Sequence, residues 1–249
     1  MRDRALGRRL LAEFLGTGLL VAAVVGSGIA AARLSPGNTG LELLENAAAT
    51  VGALVALILA LGPVSGAQFN PVVTLADCIF GGISGRDAAG YVGAQALGAL
   101  GGALLANAMF ALPTFEASTK TRSAGPLWLG EVVATFGLVV VIFGVVRSGR
   151  AAVAPFAVGA YIGGAYFFTS STSFANPAVT LGRTITNTFA GIRPSSAPMF
   201  IAMQVVGGVL AVFIVRALYP NVAASAGDVV VPHHTDGAGD GAEHREAHV

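Results

Sequence analysis

The sequence has little charge, little cysteine and, away from one end, no histidine. Only 11% of its 249 residues are Asp, Glu, Lys or Arg, against about a quarter in an average soluble domain, so the chain lacks the polar surface to close a water-facing globule. The single cysteine, Cys78, excludes an internal disulfide and a thiolate metal site. All four histidines, His233, His234, His244 and His248, lie at one end. The apolar part of the chain therefore holds no Ser/His/Asp set and no His-Glu-x-x-His pair, and we expect no enzyme, no cofactor and no metal. With 14 bases against 13 acids, there is no basic field for nucleic acid. Apolar and small residues are abundant instead: 54% are hydrophobic, 34 are glycine and the mean hydropathy is +0.74. Such a chain belongs in a lipid bilayer, where small residues let helix backbones approach closely.

A helix needs about 20 mainly apolar residues to cross a bilayer. Six runs are candidates, at 10–32, 46–61, 88–112, 127–146, 151–168 and 198–219. The first follows basic residues, as a signal peptide does, but it is too long and shows no distinct cleavage site, so it reads as a retained span. With six spans both termini lie on one side. That side gathers Arg2, Arg4, Arg8, Arg9, Arg86, Arg147, Arg150 and Arg216, and the other Arg33, Lys120, Arg122, Arg183 and Arg193. The bias predicts a multi-pass protein of the cell (inner) membrane with both termini cytoplasmic. The stretch 221–249, rich in His and acid, reads as a disordered appendage, with metal chelation there the weaker reading.

Two apolar stretches are too short to span, 70–83 and 176–190, and they open alike, Asn70-Pro71-Val72-Val73-Thr74-Leu75 and Asn176-Pro177-Ala178-Val179-Thr180-Leu181. They belong to a longer internal repeat, in which Glu13 and Thr17 answer Glu131 and Thr135, and Gln95 and Gly98 answer Gln204 and Gly207. The repeat predicts a first three-span unit at 1–112, a linking loop at 113–126, and a second unit at 127–220 before the tail 221–249. Three spans is an odd number, so the second unit enters the membrane inverted, as in pores and transporters whose site lies between the repeats.

Proline suits the first turn of a helix, and asparagine before it is a good N-cap. Each short stretch is thus a half-helix starting at its Asn-Pro, and inversion brings both starts to the bilayer midplane. The polar stretches before them, 65–69 and 170–175, are tolerated at that depth only around a cavity. Asn70 and Asn176 would supply donors at its centre, and two positive helix ends would repel cations. The alternative is that both asparagines merely cap buried helices. The doubled, inverted arrangement favours a path for neutral solutes.

These residues resemble the aquaporin, or major intrinsic protein, family over nearly all of 10–219. The resemblance rests on the paired Asn-Pro motifs, the Ser65-Gly66-Ala67 lead-in, the Glu/Thr helices and the glutamine spans. It implies an all-α fold of six spans plus two re-entrant half-helices, one pore per subunit and a homotetramer. It also implies that Glu13 and Glu131 anchor the re-entrant loops, and that Thr50, Ser173, Val179 and either Gly164 or Tyr166 form the selectivity filter. Three departures stand out: Val72 in place of alanine, Gln68 where many members have histidine, and Val179 where an arginine usually narrows the outer constriction. Losing a guanidinium removes a charge, up to five donors and much bulk. A wider, less cationic filter favours glycerol-like polyols, urea-like molecules or undissociated metalloid acids, such as arsenite or methylated arsenicals, besides water. Some bacterial relatives lacking that arginine are linked to arsenic resistance. Arg183, four residues beyond Val179, and its counterpart Asp77 are candidates for the vestibules, with snorkelling to the interface as the alternative for both. The rival classes are a strict water channel and, less favoured, an ion-coupled carrier. The carrier needs an intramembrane ionisable coupling group, and Glu13 and Glu131 already have structural roles by resemblance.

Overall fold

A computed structural model describes residues 2–220. The tail 221–249, with its four histidines, lies outside the described residues. The described residues form eight helices: α1 (Arg2–Leu34), α2 (Thr39–Ser65), α3 (Pro71–Phe80), α4 (Gly85–Met109), α5 (Gly125–Arg147), α6 (Ala154–Phe168), α7 (Pro177–Gly182) and α8 (Ala197–Leu218). Six of these, with the turn that leads into α6 and the one that leads into α8, are long and apolar enough to cross a membrane. The spans outrun the apolar runs of the sequence by a turn or more at several ends, because caps rather than hydrophobicity stop them. Asn38 starts α2, for example, by accepting the Leu41 N–H at 3.1 Å.

The repeats interlock. In the first, α1 lies against α2 and α4; in the second, α5 lies against α6 and α8. Each half-helix, α3 or α7, touches both α4 and α8, one helix from each repeat. The close crossings depend on missing Cβ atoms. A Cβ at Gly98 or Gly102 of α4 would overlap the carbonyl oxygens of Phe14 or Gly18, and one at Gly207 of α8 would overlap that of Val132. Gly16 serves differently, since a Cβ there would overlap the Phe69 ring.

Both half-helices end earlier than the apolar stretches 70–83 and 176–190 suggest. Gly81, at φ 90°, closes α3. After α7 a single 3-10 turn, Arg183–Ile185, ends the helical run. The carbonyls that would continue it are taken by distant partners: Ser118 N–H bonds Thr184 O at 2.9 Å, Glu116 N–H bonds Ile185 O at 3.2 Å, and Ile192 N–H bonds Arg183 O at 3.1 Å. The linking loop thereby ties down the end of α7.

Candidate functional site

The re-entrant segments are held in an unfavourable backbone shape. Gly66, Ala67 and Phe69 have positive φ, and so, 106 positions on, do Thr172, Ser173 and Ala175. Each non-glycine residue in this region costs roughly 1–2 kcal/mol, so something must hold it there. Two buried glutamates do. Glu13 Oε1 accepts Ser65 Oγ–H at 2.6 Å and Gln68 N–H at 3.0 Å, and Oε2 accepts Phe69 N–H at 2.7 Å and Gln95 Nε2–H at 2.8 Å. Glu131 accepts the N–H groups of Phe174 and Ala175, both at 2.9 Å, and Gln204 Nε2–H. Each glutamine also donates to its half-helix, Gln95 to Thr74 Oγ1 at 3.0 Å and Gln204 to Thr180 Oγ1 at 2.9 Å.

With the loop N–H groups turned to the glutamates, the asparagines bridge the two loops. Asn70 Nδ2 donates to Ala175 O at 2.7 Å and Asn176 Nδ2 to Phe69 O at 2.8 Å. Their Oδ1 atoms cap the half-helices: Asn70 accepts Val72 N–H at 3.0 Å, and Asn176 accepts Ala178 N–H at 2.9 Å and Val179 N–H at 3.2 Å. Pro71 and Pro177 occupy the first turns, where the missing N–H is harmless. One amide proton of each asparagine remains for a passing molecule.

Both asparagines border a cavity of about 630 Å³, counting its open mouths. Thr50, Tyr166, Ser173 and Val179 also line it, so these filter candidates come together. Gly164 does not. It is exposed, with only the Phe168 ring near its Cβ direction, so of Gly164 and Tyr166 only Tyr166 lines the cavity. The single O–H of Thr50 donates to Asn46 O at 2.9 Å, so the Tyr166 hydroxyl, 3.0 Å away, donates to Thr50 and keeps its lone pairs. Ser173 Oγ is buried without a protein partner.

Neither charged vestibule candidate snorkels. Arg183 is 3% exposed and stands in the cavity wall; its Nε–H donates to Ala190 O, and its guanidinium lies 3.3 Å from the Phe174 ring centroid. Asp77 is 1% exposed and lies behind Gln68, whose Nε2 donates to it at 2.7 Å. Gln68 lines the cavity and Asp77 does not. In the linking loop, burial, then Arg122 and Arg183, pull the Lys120 ammonium below its usual pKa, and burial does the same to Arg122.

Several lining residues escaped sequence reasoning. Phe174 is one, stacked edge-on against Phe200 at 5.1 Å. Leu20 with Val24, and Leu138 with Ile142, are others. These last pairs sit 118 positions apart, the offset already visible between Glu13 and Glu131, and extending that offset two or three turns along α1 and α5 would have found them.

The chain matches the family described as Major intrinsic protein over residues 1–173 and 156–243. It is 51% identical over 218 residues to aquaglyceroporin AqpS of Rhizobium meliloti (strain 1021), covering 88% of this chain and 93% of that one. It is 32% identical over 236 residues to aquaporin AqpM of Methanothermobacter marburgensis, covering 83% and 95%. Among solved structures, the aquaglyceroporin from Plasmodium falciparum is similar in fold, with a TM-score of 0.63 at 21% identity over 88% of this chain and 99% of that one.

Proposed function

Because the chain belongs to the major intrinsic protein family, a family of membrane channels rather than enzymes, we propose that it conducts small uncharged solutes passively: glycerol-like polyols, undissociated metalloid acids such as arsenite or methylated arsenicals, and water. The observation that carries this reading is the filter wall. Thr50, Tyr166, Ser173 and Val179 border one cavity with Asn70 and Asn176, and at the position after the second Asn-Pro-Ala an isopropyl group replaces a long, branched cation. Val179 leaves width. Tyr166 and Thr50 offer acceptors, Ser173 a hydroxyl, and the asparagines donors, a set that suits hydroxylated solutes, which both donate and accept. The name of the aquaglyceroporin from Rhizobium meliloti supports the polyol reading. A coupled carrier is disfavoured because Glu13 and Glu131 spend their oxygens on the loops. The exposed apolar residues of the spans, such as Leu11, Leu19, Leu97, Leu129 and Phe213, need lipid or neighbouring subunits, as a homotetramer in the inner membrane provides. The distribution of bases supports cytoplasmic termini.

Stopped-flow light scattering of proteoliposomes tests the reading. Expected are non-saturating, ion-independent fluxes of water, glycerol, urea and arsenite, and a several-fold larger loss of glycerol than of water in Val179→Arg. Flux of water alone supports the strict water channel, and flux that requires a proton or sodium gradient overturns the channel. An unchanged glycerol to water ratio in Val179→Arg removes Val179 as the determinant.

A further inference from the structure

The two re-entrant loops carry the same contact with opposite charge. Two residues before Asn70, the Gln68 amide donates to Asp77; two residues before Asn176, the Phe174 ring carries the Arg183 guanidinium. Gln68 and Phe174 are 106 positions apart, as are Asp77 and Arg183. The inverted repeat thus folds the residue at this place inward in both halves, and Arg183 is part of the architecture. The two halves then differ. Asp77 stays behind Gln68, whereas Arg183 reaches the cavity.

Among the described residues the only protein acceptor for the Arg183 side chain is Ala190 O, at Nε. The N–H groups of Nη1 and Nη2 have none, and among the described residues the only ion pair is Arg9 with Asp87, 3.7 Å apart. A guanidinium 3% exposed with unspent donors and no carboxylate in direct contact is costly unless those donors face water or solute. Arg183 lines the cavity, the space that can supply either.

We propose that Arg183 is the filter's cation, displaced one turn from position 179. It brings a positive charge and its terminal N–H donors to the solute path at the α7 mouth, where they repel cations and bind the oxygens of neutral solutes. Val179 sets the width and Arg183 the charge, so a widened filter stays closed to protons and metal cations. The inference rests on the channel reading.

A unit charge about 5 Å from a monovalent cation, at an effective dielectric of about 20, lowers the cation's occupancy by about two orders of magnitude. Screening in a water-filled mouth reduces this, leaving about tenfold. The test uses the full chain in vesicles loaded with a pH dye or a sodium dye. Arg183→Gln, or Arg183→Met if the glutamine variant assembles poorly, raises proton and sodium permeability about tenfold. Arg183→Lys, which restores charge without the fork, brings the leak back to that of the wild type; a purely structural role would not be rescued in this readout. A leak in both neutral variants equal to that of the wild type overturns the proposal, and so does a lysine variant as leaky as they are. Absence of glycerol flux in wild-type vesicles would instead overturn the polyol reading, and the leak comparison would still decide Arg183.

Discussion

Replacing Glu13 by Gln tests whether the glutamate holds the first re-entrant loop. The glutamine oxygen can take the place of Oε1 and keep Ser65 Oγ–H and Gln68 N–H. Its amide nitrogen then takes the place of Oε2, facing the donors Phe69 N–H and Gln95 Nε2–H. Gln95 adapts only by turning its amide, which moves its NH2 to the place where Oε1 is buried without a partner. A flip of that amide offers the oxygen to the new donor, and Thr74 Oγ–H can follow. Phe69 N–H cannot adapt and is left unpaired, at a cost of about 2 kcal/mol for a buried donor. The two bonds that remain lose their charged acceptor, which removes about 1 kcal/mol each. Even without the cost at Gln95 the total is about 4 kcal/mol, a large share of a typical stability of about 5–15 kcal/mol. At about 2–4 °C per kcal/mol for a chain of this size, the unfolding midpoint in detergent falls by about 8–16 °C, and solute flux per vesicle falls with it. Glu13→Ala strands every donor and melts lower still. A glutamine variant within about 2 °C of wild type with full flux, or an alanine variant more stable than the glutamine one, refutes the reasoning.

The remaining predictions address packing, capping and the filter. Gly98→Ala and Gly207→Ala push a methyl into a backbone carbonyl and lower stability by about 1–3 kcal/mol. Gly101→Ala, with nothing within 4 Å of its Cβ direction, raises stability by about 0.5–1 kcal/mol, and melting in detergent compares the two. Asn176→Ala loses two capping bonds and the strap to Phe69, about 2–3 kcal/mol, with a fall in both water and glycerol flux. Tyr166→Phe keeps the ring and removes the acceptor beside Thr50; glycerol permeability drops several-fold while water changes less, measured by vesicle shrinkage.

What could be read from the sequence depended on whether the determining contact was local. The Asn-Pro starts were legible because capping acts within three residues: Asn70 bonds Val72 N–H and Asn176 bonds Val179 N–H. Glu13 and Glu131 were legible for another reason, since a carboxylate in an apolar span needs a partner and the irregular loop backbone is the nearest supply of donors. The end of α7 was not legible, because residues 116–118 of the linking loop take its carbonyls and no pattern within 176–190 reports that. Nor was the choice between Gly164 and Tyr166 as the α6 residue that lines the cavity. Counting across a stretch of altered length left Gly164 and Tyr166 two positions apart, and only the hydroxyl contact with Thr50, 116 residues away, separates a cavity face from an exposed one.

Arg183 shows the same limit most sharply. By local rules a cation at the end of a half-helix snorkels, because its stem can reach water cheaply. Here the way out is closed by Phe174, nine residues earlier, and by the chain at Ala190. The guanidinium is consequently turned inward. The observation that makes this more than an accident of one side chain was present in the sequence all along: Asp77 stands at the equivalent place of the first repeat and is also buried, against the equivalent loop residue. A repeat that keeps its backbone geometry while reversing a charge places an acid behind one loop and a base in the wall beside the other, and only the base has donors left over for the cavity.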